Sequence, residues 1–423
     1  MLVLSIYVAI FVAAYVAYQV IAGRKAQKQG FNARKTVTFG DESAVTANRA
    51  ASVISVIAIF LIWGAFTGSS LTPIHVPGPF VGDTSFTYTA TNAQGKTDDA
   101  TVRFRVAPVG QKVEKPATPD SGNAGFAKDD AATANAWRSK LVRVQRNDEG
   151  GKDKAYKVTA VNGQSIAPNG SVSVDNGVVN MTKKGSLSFV PEMGWQMEPI
   201  WLPAPESILS RLVEIYNQGY QNVSLMENIG WSLFRVVVGF VLGSLVGIPL
   251  GYAMGLNDWF RGWFDPIVEF MRPIPPLALI PLVIIWFGIW EQGKISLLFL
   301  AALWIMTISA RAGVSGVNIS KVHAAYSLGA SKLQILIHVI IPNSLPEIFT
   351  GARVAMGVCW GTVVAAELVA AEKGAGKMII AASKFQQTDI VIMGIILIGV
   401  IGFGIDILMR MAEKVLVPWK GQS

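Results

Sequence analysis

Residues 232–255 read "SLFRVVVGFVLGSLVGIPLGYAMG". Apart from Arg235 the run is uncharged, and as a helix it extends over about 36 Å, enough to cross the roughly 30 Å hydrocarbon layer of a bilayer. Gly239, Gly243, Gly247, Gly251 and Gly255 recur every four residues, so they fall on one stripe where a second backbone can approach closely. The stretch predicts a membrane-spanning helix packed tightly against a neighbour. That contact is either ordinary packing within one subunit or a seam along which helices slide.

The remainder of the chain has the same character. Its 423 residues are 51% hydrophobic and 15% charged, and the mean hydropathy is +0.42, more apolar than a soluble core requires. An all-α polytopic membrane protein follows, because a helix satisfies its own backbone groups in lipid. Seven apolar runs qualify, at 2–22, 49–67, 230–254, 273–290, 294–312, 348–371 and 389–409, of which the fourth is the shortest. The loop 23–48 carries Arg24, Lys25, Lys28, Arg34 and Lys35 against Asp41 and Glu42, which places it in the cytoplasm. Counting crossings from there puts the N-terminus and 68–229 outside, and 313–347 and the tail with Arg410, Lys414 and Lys420 inside. Lys373, Lys377 and Lys384 run against that count. The first run reads as an anchor rather than a cleaved signal, since its charges follow the apolar stretch. The single cysteine, Cys359, cannot form an intrachain disulfide. The net charge of +8 resides largely in membrane-flanking loops, with no basic patch interleaved with aromatics, so no nucleic-acid partner is indicated.

Three domains are expected: two N-terminal transmembrane helices in 1–67, an extracytoplasmic β-rich insert in 68–200, and a transmembrane core in 201–423. In the insert, "TSFTYTATNAQGKTDDATVRFRV" (84–106) reads as a hairpin, and 155–195 supplies short strands with NG and DNG turns. Residues 109–136, rich in Pro, Ala and Gly, read as a mobile linker between them. The two strand-rich pieces resemble the halves of a bacterial cadherin-like or immunoglobulin-like repeat in reversed order, which implies a permuted β-sandwich.

Residues 323–346, "HAAYSLGASKLQILIHVIIPNSLP", are polar for a segment between two apolar runs. Leu333, Leu336, Ile337, Ile340 and Ile341 follow the spacing of an amphipathic helix. Ala324 and Ala325 begin a preceding short helix that Gly329 can end, and Pro342 and Pro346 punctuate the return to the next span. A pair of small cytoplasmic helices results, resting either on lipid alone or against a partner.

The segment "AAYSLGASKLQILIHVIIPNSLPEIFTG" resembles the EAA loop of binding-protein-dependent ABC transporter permeases. "LPAPESIL", "SLFRVVVGFVLGSLVGIPLGYAMG", "DPIVEFMRPIPPLALIPLVIIWFGI" and "GARVAMGVCWGTVVAAELVAA" resemble, in that order, the nitrate/sulfonate/taurine-type branch, over about 202–420. The resemblance implies a type I importer-like core in the bacterial inner membrane and a homodimer forming a pathway for a small oxyanion or sulfonate. It also implies an extracytoplasmic substrate-binding protein and separate ATPase subunits, which hold ATP and magnesium. His323, Ala324, Ala325, Leu328, Gly329, Ala330 and Lys332 fall on the part that engages the ATPase, with His323 where the family normally has glutamate.

This chain carries no phosphate-binding loop: "GAGKM" at 374–378 lacks both the leading glycine and the hydroxyl after the lysine. With no nucleophile beside a base and only three histidines, neither catalysis, a cofactor nor a metal site is indicated. The expected function is a permease subunit. The alternative is a membrane-anchored adhesion or sensor module that binds its ligand through the insert. Arg235 and Glu367, ionisable inside predicted spans, are candidates for the pathway together with Trp360 and Thr362. Arg235 either pairs with Glu367 to fix packing or offers its donors to an anion.

Overall fold

The computed structural model describes residues 2–28, 49–117, 125–148 and 156–419. The chain divides into two compact units, Met1–Glu206 and Ser207–Ser423.

The first unit begins with helices α1 (Leu2–Lys28) and α2 (Arg49–Thr67), joined by a 2.7 Å hydrogen bond between the Tyr7 and Ser55 hydroxyls. Most of the basic loop used to orient the chain, 29–48, lies outside the described residues. Nine strands follow: β1 (Gly82–Asn92), β2 (Thr97–Ala107), β3 (Asp130–Asn135), β4 (Lys140–Val142), β5 (Tyr156–Val161), β6 (Gln164–Ser165), β7 (Ser171–Val174), β8 (Gly177–Met181) and β9 (Leu187–Pro191). They form two sheets, in orders β3-β2-β1-β5-β6 and β4-β9-β8-β7. Inward-facing residues of both enclose one core, in which the Phe104 ring lies 4.6 Å from Phe189 and 5.9 Å from Phe86. β1 pairs with β2 on one side and β5 on the other, so the two strand-rich pieces of the sequence build a single sandwich. The NG signal behaves as expected: β5 and β6 are joined by Asn162 and Gly163, both with positive φ as a type I′ turn requires.

The expected linker is a correction. Within it, Asp130–Asn135 is β3, paired in parallel with β2, and Phe126, Ala127, Ala132, Ala134 and Ala136 are buried in the core. Alanine favours strands weakly and carries little apolar bulk, so the segment has the composition of a linker, and only its partner strand makes it a strand. Residues 118–124 of that stretch lie outside the described residues.

Asp130 is half-buried, and one of its oxygens is buried without a hydrogen-bond partner. Burial, then repulsion by Asp148 and Asp129, push its carboxyl up to about 7. A carboxyl raised on folding stabilises the folded form below its unfolded value near 4, and that contribution disappears as pH rises through about 7. Asp130→Asn is therefore expected to raise the amide-exchange protection of β2 and β3 at pH 8 and to change it little at pH 4. Protection factors measured on the full chain at both pH values check this; an equal effect at the two would refute it.

The second unit is helical. Helix α3 (Pro205–Gln218) is followed by α4 (Leu225–Leu256), capped by Ser224, whose hydroxyl accepts the Glu227 N–H. Helix α5 (Asp258–Met271) is capped by Asn257 in the same way. Pro273, Pro275 and Pro276 then break the chain before a 3₁₀ turn and α6 (Ile280–Phe287). Next come α7 (Glu291–Ser315), α8 (Ile319–Ser327), α9 (Lys332–Ile335), α10 (Ile341–Ala370), α11 (Ala375–Lys384) and α12 (Thr388–Leu416).

Among the described residues five helices are long and apolar enough to cross a membrane, or six if α5 and α6, bent by 90°, count as one. The sequence reading has seven. Its first span corresponds to a shorter apolar stretch, Ser5–Ile21, and its fourth is only the second limb of the bent pair.

The glycine stripe meets α7. A Cβ at Gly243 would lie 2.6 Å from that of Ala302, one at Gly247 2.7 Å from the Leu303 carbonyl, and one at Gly255 2.8 Å from the Val314 Cβ. Contacts advance in the same direction along both helices, so α4 and α7 are parallel. The segment between them must therefore return the chain over about 30 Å, from the end of α4 to the end where Arg235 meets Glu291. The bent α5–α6 pair does this. α10 lies antiparallel to α7, with Ser344 against Gly313 and Cys359 donating to the Leu298 carbonyl. α12 lies antiparallel to α10, where the Trp360 indole donates to the Ile398 carbonyl at 3.1 Å.

Candidate functional site

Two sites emerge in the second unit. The first is the loop between α7 and α10. Asn318 caps α8 by accepting the Ser320 N–H at 2.9 Å. The helix ends in a Schellman turn, in which Gly329, at φ +82°, donates to Tyr326 and Ala330 donates to Ala325. Ser331 and Gln334 then form a reciprocal capping box that starts α9.

From α9 the chain passes through a π-helical turn, Leu336–Ile340, directly into α10. The expected second small helix is thus the leading end of a long one. Pro342 and Pro346 do not separate it: Pro342 stands in the first turn of α10 next to the widened π turn, whose Ile341 N–H reaches back to Leu336.

Of the candidate coupling residues, His323, Ala324, Leu328, Gly329 and Lys332 are exposed, and Ala325 and Ala330 are half-buried. Leu328 is 88% exposed, and Tyr326, Leu333 and Ile337 are also exposed. Of the apolar stripe read from the sequence, Leu333 and Ile337 are thus exposed and Leu336, Ile340 and Ile341 half-buried, while Ile335, outside it, is buried. Lys321 Nζ donates to Asn343 Oδ1 at 2.7 Å, tying α8 to α10.

The second site surrounds Arg235, which is 1% exposed. Its Nε and Nη2 donate to Glu291 at 2.6 and 2.8 Å, and its Nη1 donates to Glu367 at 2.6 Å and to the Lys373 carbonyl at 2.8 Å. Its face lies near the Trp231 ring. Glu367 also accepts from Ser232 Oγ at 2.8 Å and from the Gly376 N–H at 3.0 Å. Asn228 and Ser232 accept the N–H groups of Gly374 and Ala375. The glycine-rich 374–376 segment therefore directs its amides, at the start of α11, to an internal carboxylate and two polar side chains. Gly374 is at φ +143° with the Glu367 carboxylate where a Cβ would stand. Lys294 joins Glu291 at 2.9 Å, and Lys373 joins Glu227 at 2.6 Å. Four hydrogen bonds thus engage the guanidinium, three of them to carboxylates. Trp360 and Thr362 are buried as well, elsewhere on α10.

Sequence reasoning missed Glu291, Lys294, Asn228 and Ser232. A signal was present: Asn228, Ser232 and Arg235, at i, i+4 and i+7, continue the face of the glycine stripe toward the start of α4. It also missed Arg311, which pairs with Asp265 and Glu269 and joins α7 to α5. Among the described residues no group of three or more His, Cys, Asp or Glu could hold a metal ion.

A family model described as "Binding-protein-dependent transport system inner membrane component" matches residues 239–416. The taurine transport system permease protein of Escherichia coli is 42% identical over 245 residues, 56% of this chain and 89% of that one. This chain belongs to the binding-protein-dependent ABC permease family. A putative ABC transporter permease of Methanocaldococcus jannaschii is 36% identical over 59% of the permease and 96% of its own length. A putative aliphatic sulfonates transport permease of Escherichia coli is 35% identical over 54% and 84%. The permease is therefore a membrane transport component rather than an enzyme. Each of these relatives matches just over half of it, and the family model begins at Gly239.

Proposed function

We propose that two copies of the permease form an inner-membrane pathway for a small sulfonate or oxyanion, in a type I importer-like arrangement. A substrate-binding protein delivers the solute outside, and cytoplasmic ATPase subunits, which hold ATP and magnesium, drive the cycle. The relatives named for taurine and aliphatic sulfonates support the substrate class.

The observation that carries the coupling role is the loop 319–335, braced by two caps, displaying Leu328 and running without interruption into α10. Arg235 links α10 to α4 and α7 through Glu367 and Glu291, so displacement of the loop moves three helices together. The ATPase seat comprises His323, Ala324, Ala325, Leu328, Gly329, Ala330 and Lys332.

Gly329→Leu tests it. No atom lies within 4 Å of a Cβ there, so the cost comes from backbone strain at positive φ, about 1 to 2 kcal/mol. A shift of that size should lower stimulation of the ATPase by loaded binding protein about tenfold in the reconstituted complex, with insertion unchanged. Normal stimulation would refute the reading.

With that loop in the cytoplasm, α7 ends inside, and α4, parallel to it, enters from outside. Since α3 is too short to cross, the sandwich is extracytoplasmic, the tail is cytoplasmic, and α1 as a span puts the N-terminus outside. We assign the sandwich an accessory role toward the substrate-binding protein. Phe80 donates to the Glu192 carbonyl at 2.9 Å, so a four-residue turn can replace 82–190. The shortened chain should insert and leave the basal ATPase activity of the reconstituted complex unchanged, but uptake at limiting substrate should be lost. Parental uptake would make the sandwich a passive spacer.

A further inference from the structure

The connectors joining α2 to the sandwich, residues 66–80 and 192–203, are fastened to each other and to the last turn of α2. Val76 donates to the Ala65 carbonyl at 3.1 Å and Met197 to Phe66 at 2.8 Å. Trp195 donates to Pro77 at 2.7 Å, and the Trp63 indole donates to the Pro203 carbonyl at 3.0 Å. Ser69 Oγ and the Ser70 N–H both donate to Glu206, at 2.6 and 2.9 Å.

The polarity of this neck is inverted. Ser69 and Thr72 are buried, with His75 Nε2 2.6 Å from the Ser69 carbonyl and 3.1 Å from Thr72 Oγ1. Outward point Ile74, Trp195 and Trp201, 77%, 70% and 72% exposed, together with Leu71, Met193 and Met197. A neck facing water would be expected to do the opposite.

Its position explains the inversion. α2 has 19 residues, about 28 Å of helix, close to the hydrocarbon thickness, so its final turn reaches the headgroup level. Val76 and Met197, hydrogen-bonded through their backbones to that turn, are at its depth. Ile74 and Trp195 stand two residues from them, and Trp201 two residues before Pro203, whose carbonyl accepts from the Trp63 indole. At that depth tryptophan places an apolar ring in lipid and its N–H in the polar layer. We propose that the neck is a lipid-interface collar: Ile74, Trp195 and Trp201 enter the headgroup region of the phospholipid bilayer. The root of the sandwich is thereby held on the membrane surface, and the connectors are kept from swinging as a free tether.

The test uses the full chain in nanodiscs of phosphatidylethanolamine and phosphatidylglycerol, with Cys359→Ala removing the buried native thiol. Nitroxides are attached at Trp195→Cys, Trp201→Cys and, as a reference, Lys183→Cys in the turn between β8 and β9. The collar requires a higher accessibility to oxygen relative to a water-soluble nickel chelate at 195 and 201, and a water-like ratio at 183. Water-like ratios at all three overturn it. So does protection of 195 and 201 from both reagents, which would mean that protein covers the neck. In the unlabelled chain, brominated lipid should quench a component of tryptophan emission that is missing from Trp195→Phe/Trp201→Phe; an unchanged quenched fraction also overturns it.

Discussion

Arg235→Met is expected to leave little folded permease in the membrane. The guanidinium is buried, and removing it strands Glu367, which is fully buried, and deprives Glu291 of a bidentate partner. Breaking a buried ion pair from one side costs about 3 to 5 kcal/mol, because the surviving charge stays desolvated. That is a large share of the roughly 5 to 15 kcal/mol by which a folded protein is stable. Removing the carboxylate as well, in Arg235→Met/Glu367→Leu, should recover part of the loss, since an apolar pair can occupy the site without a stranded charge. Glu291→Gln should be milder, because that carboxylate is partly open to solvent and the amide can still accept a hydrogen bond. Monodisperse yield and thermal midpoint in detergent measure all three. An Arg235→Met variant as stable as the parent would show that the cluster does not hold α4, α7 and α10 together.

Gly247→Ile should block assembly or transport, whereas Leu245→Ile should not. A Cβ at Gly247 would be 2.7 Å from the Leu303 carbonyl and 3.1 Å from the Met306 Cβ, so the new side chain meets backbone that cannot rotate aside. Overpacking costs about 1 to 3 kcal/mol where neighbours can relax, and more is expected here because two parallel helices must separate. Leu245 is 66% exposed, and substitutions at such positions usually change stability by less than about 0.5 kcal/mol. Yield and uptake rates of the two variants, compared side by side, decide it; equal values would remove the role of the stripe.

Much of this molecule is legible as local pattern. The apolar runs, the glycines at every fourth position, the Asn–Gly turns and Gly329 at the end of α8 each reflect chemistry within a few residues of chain. The continuity of α9 with α10 was not legible: two prolines suggest a break, and the π turn beside Pro342 leaves no compositional mark.

What the sequence by itself determined is which faces are apolar, which positions are small and where the chain can turn, because helix and hairpin periodicity depend on neighbouring residues. Only the tertiary structure decided what those faces meet. The stripe selects α7 in a parallel orientation, which requires the bent α5–α6 return. The alanines of β3 become a strand because β2 offers its edge. Of the two readings the sequence left for Arg235, pairing with Glu367 at a separation of 132 residues is the one realised, and Glu291, 56 residues away, joins it. The physical reason is common to all three: burial and pairing energies belong to contacts between distant segments, and no window along the chain contains both partners.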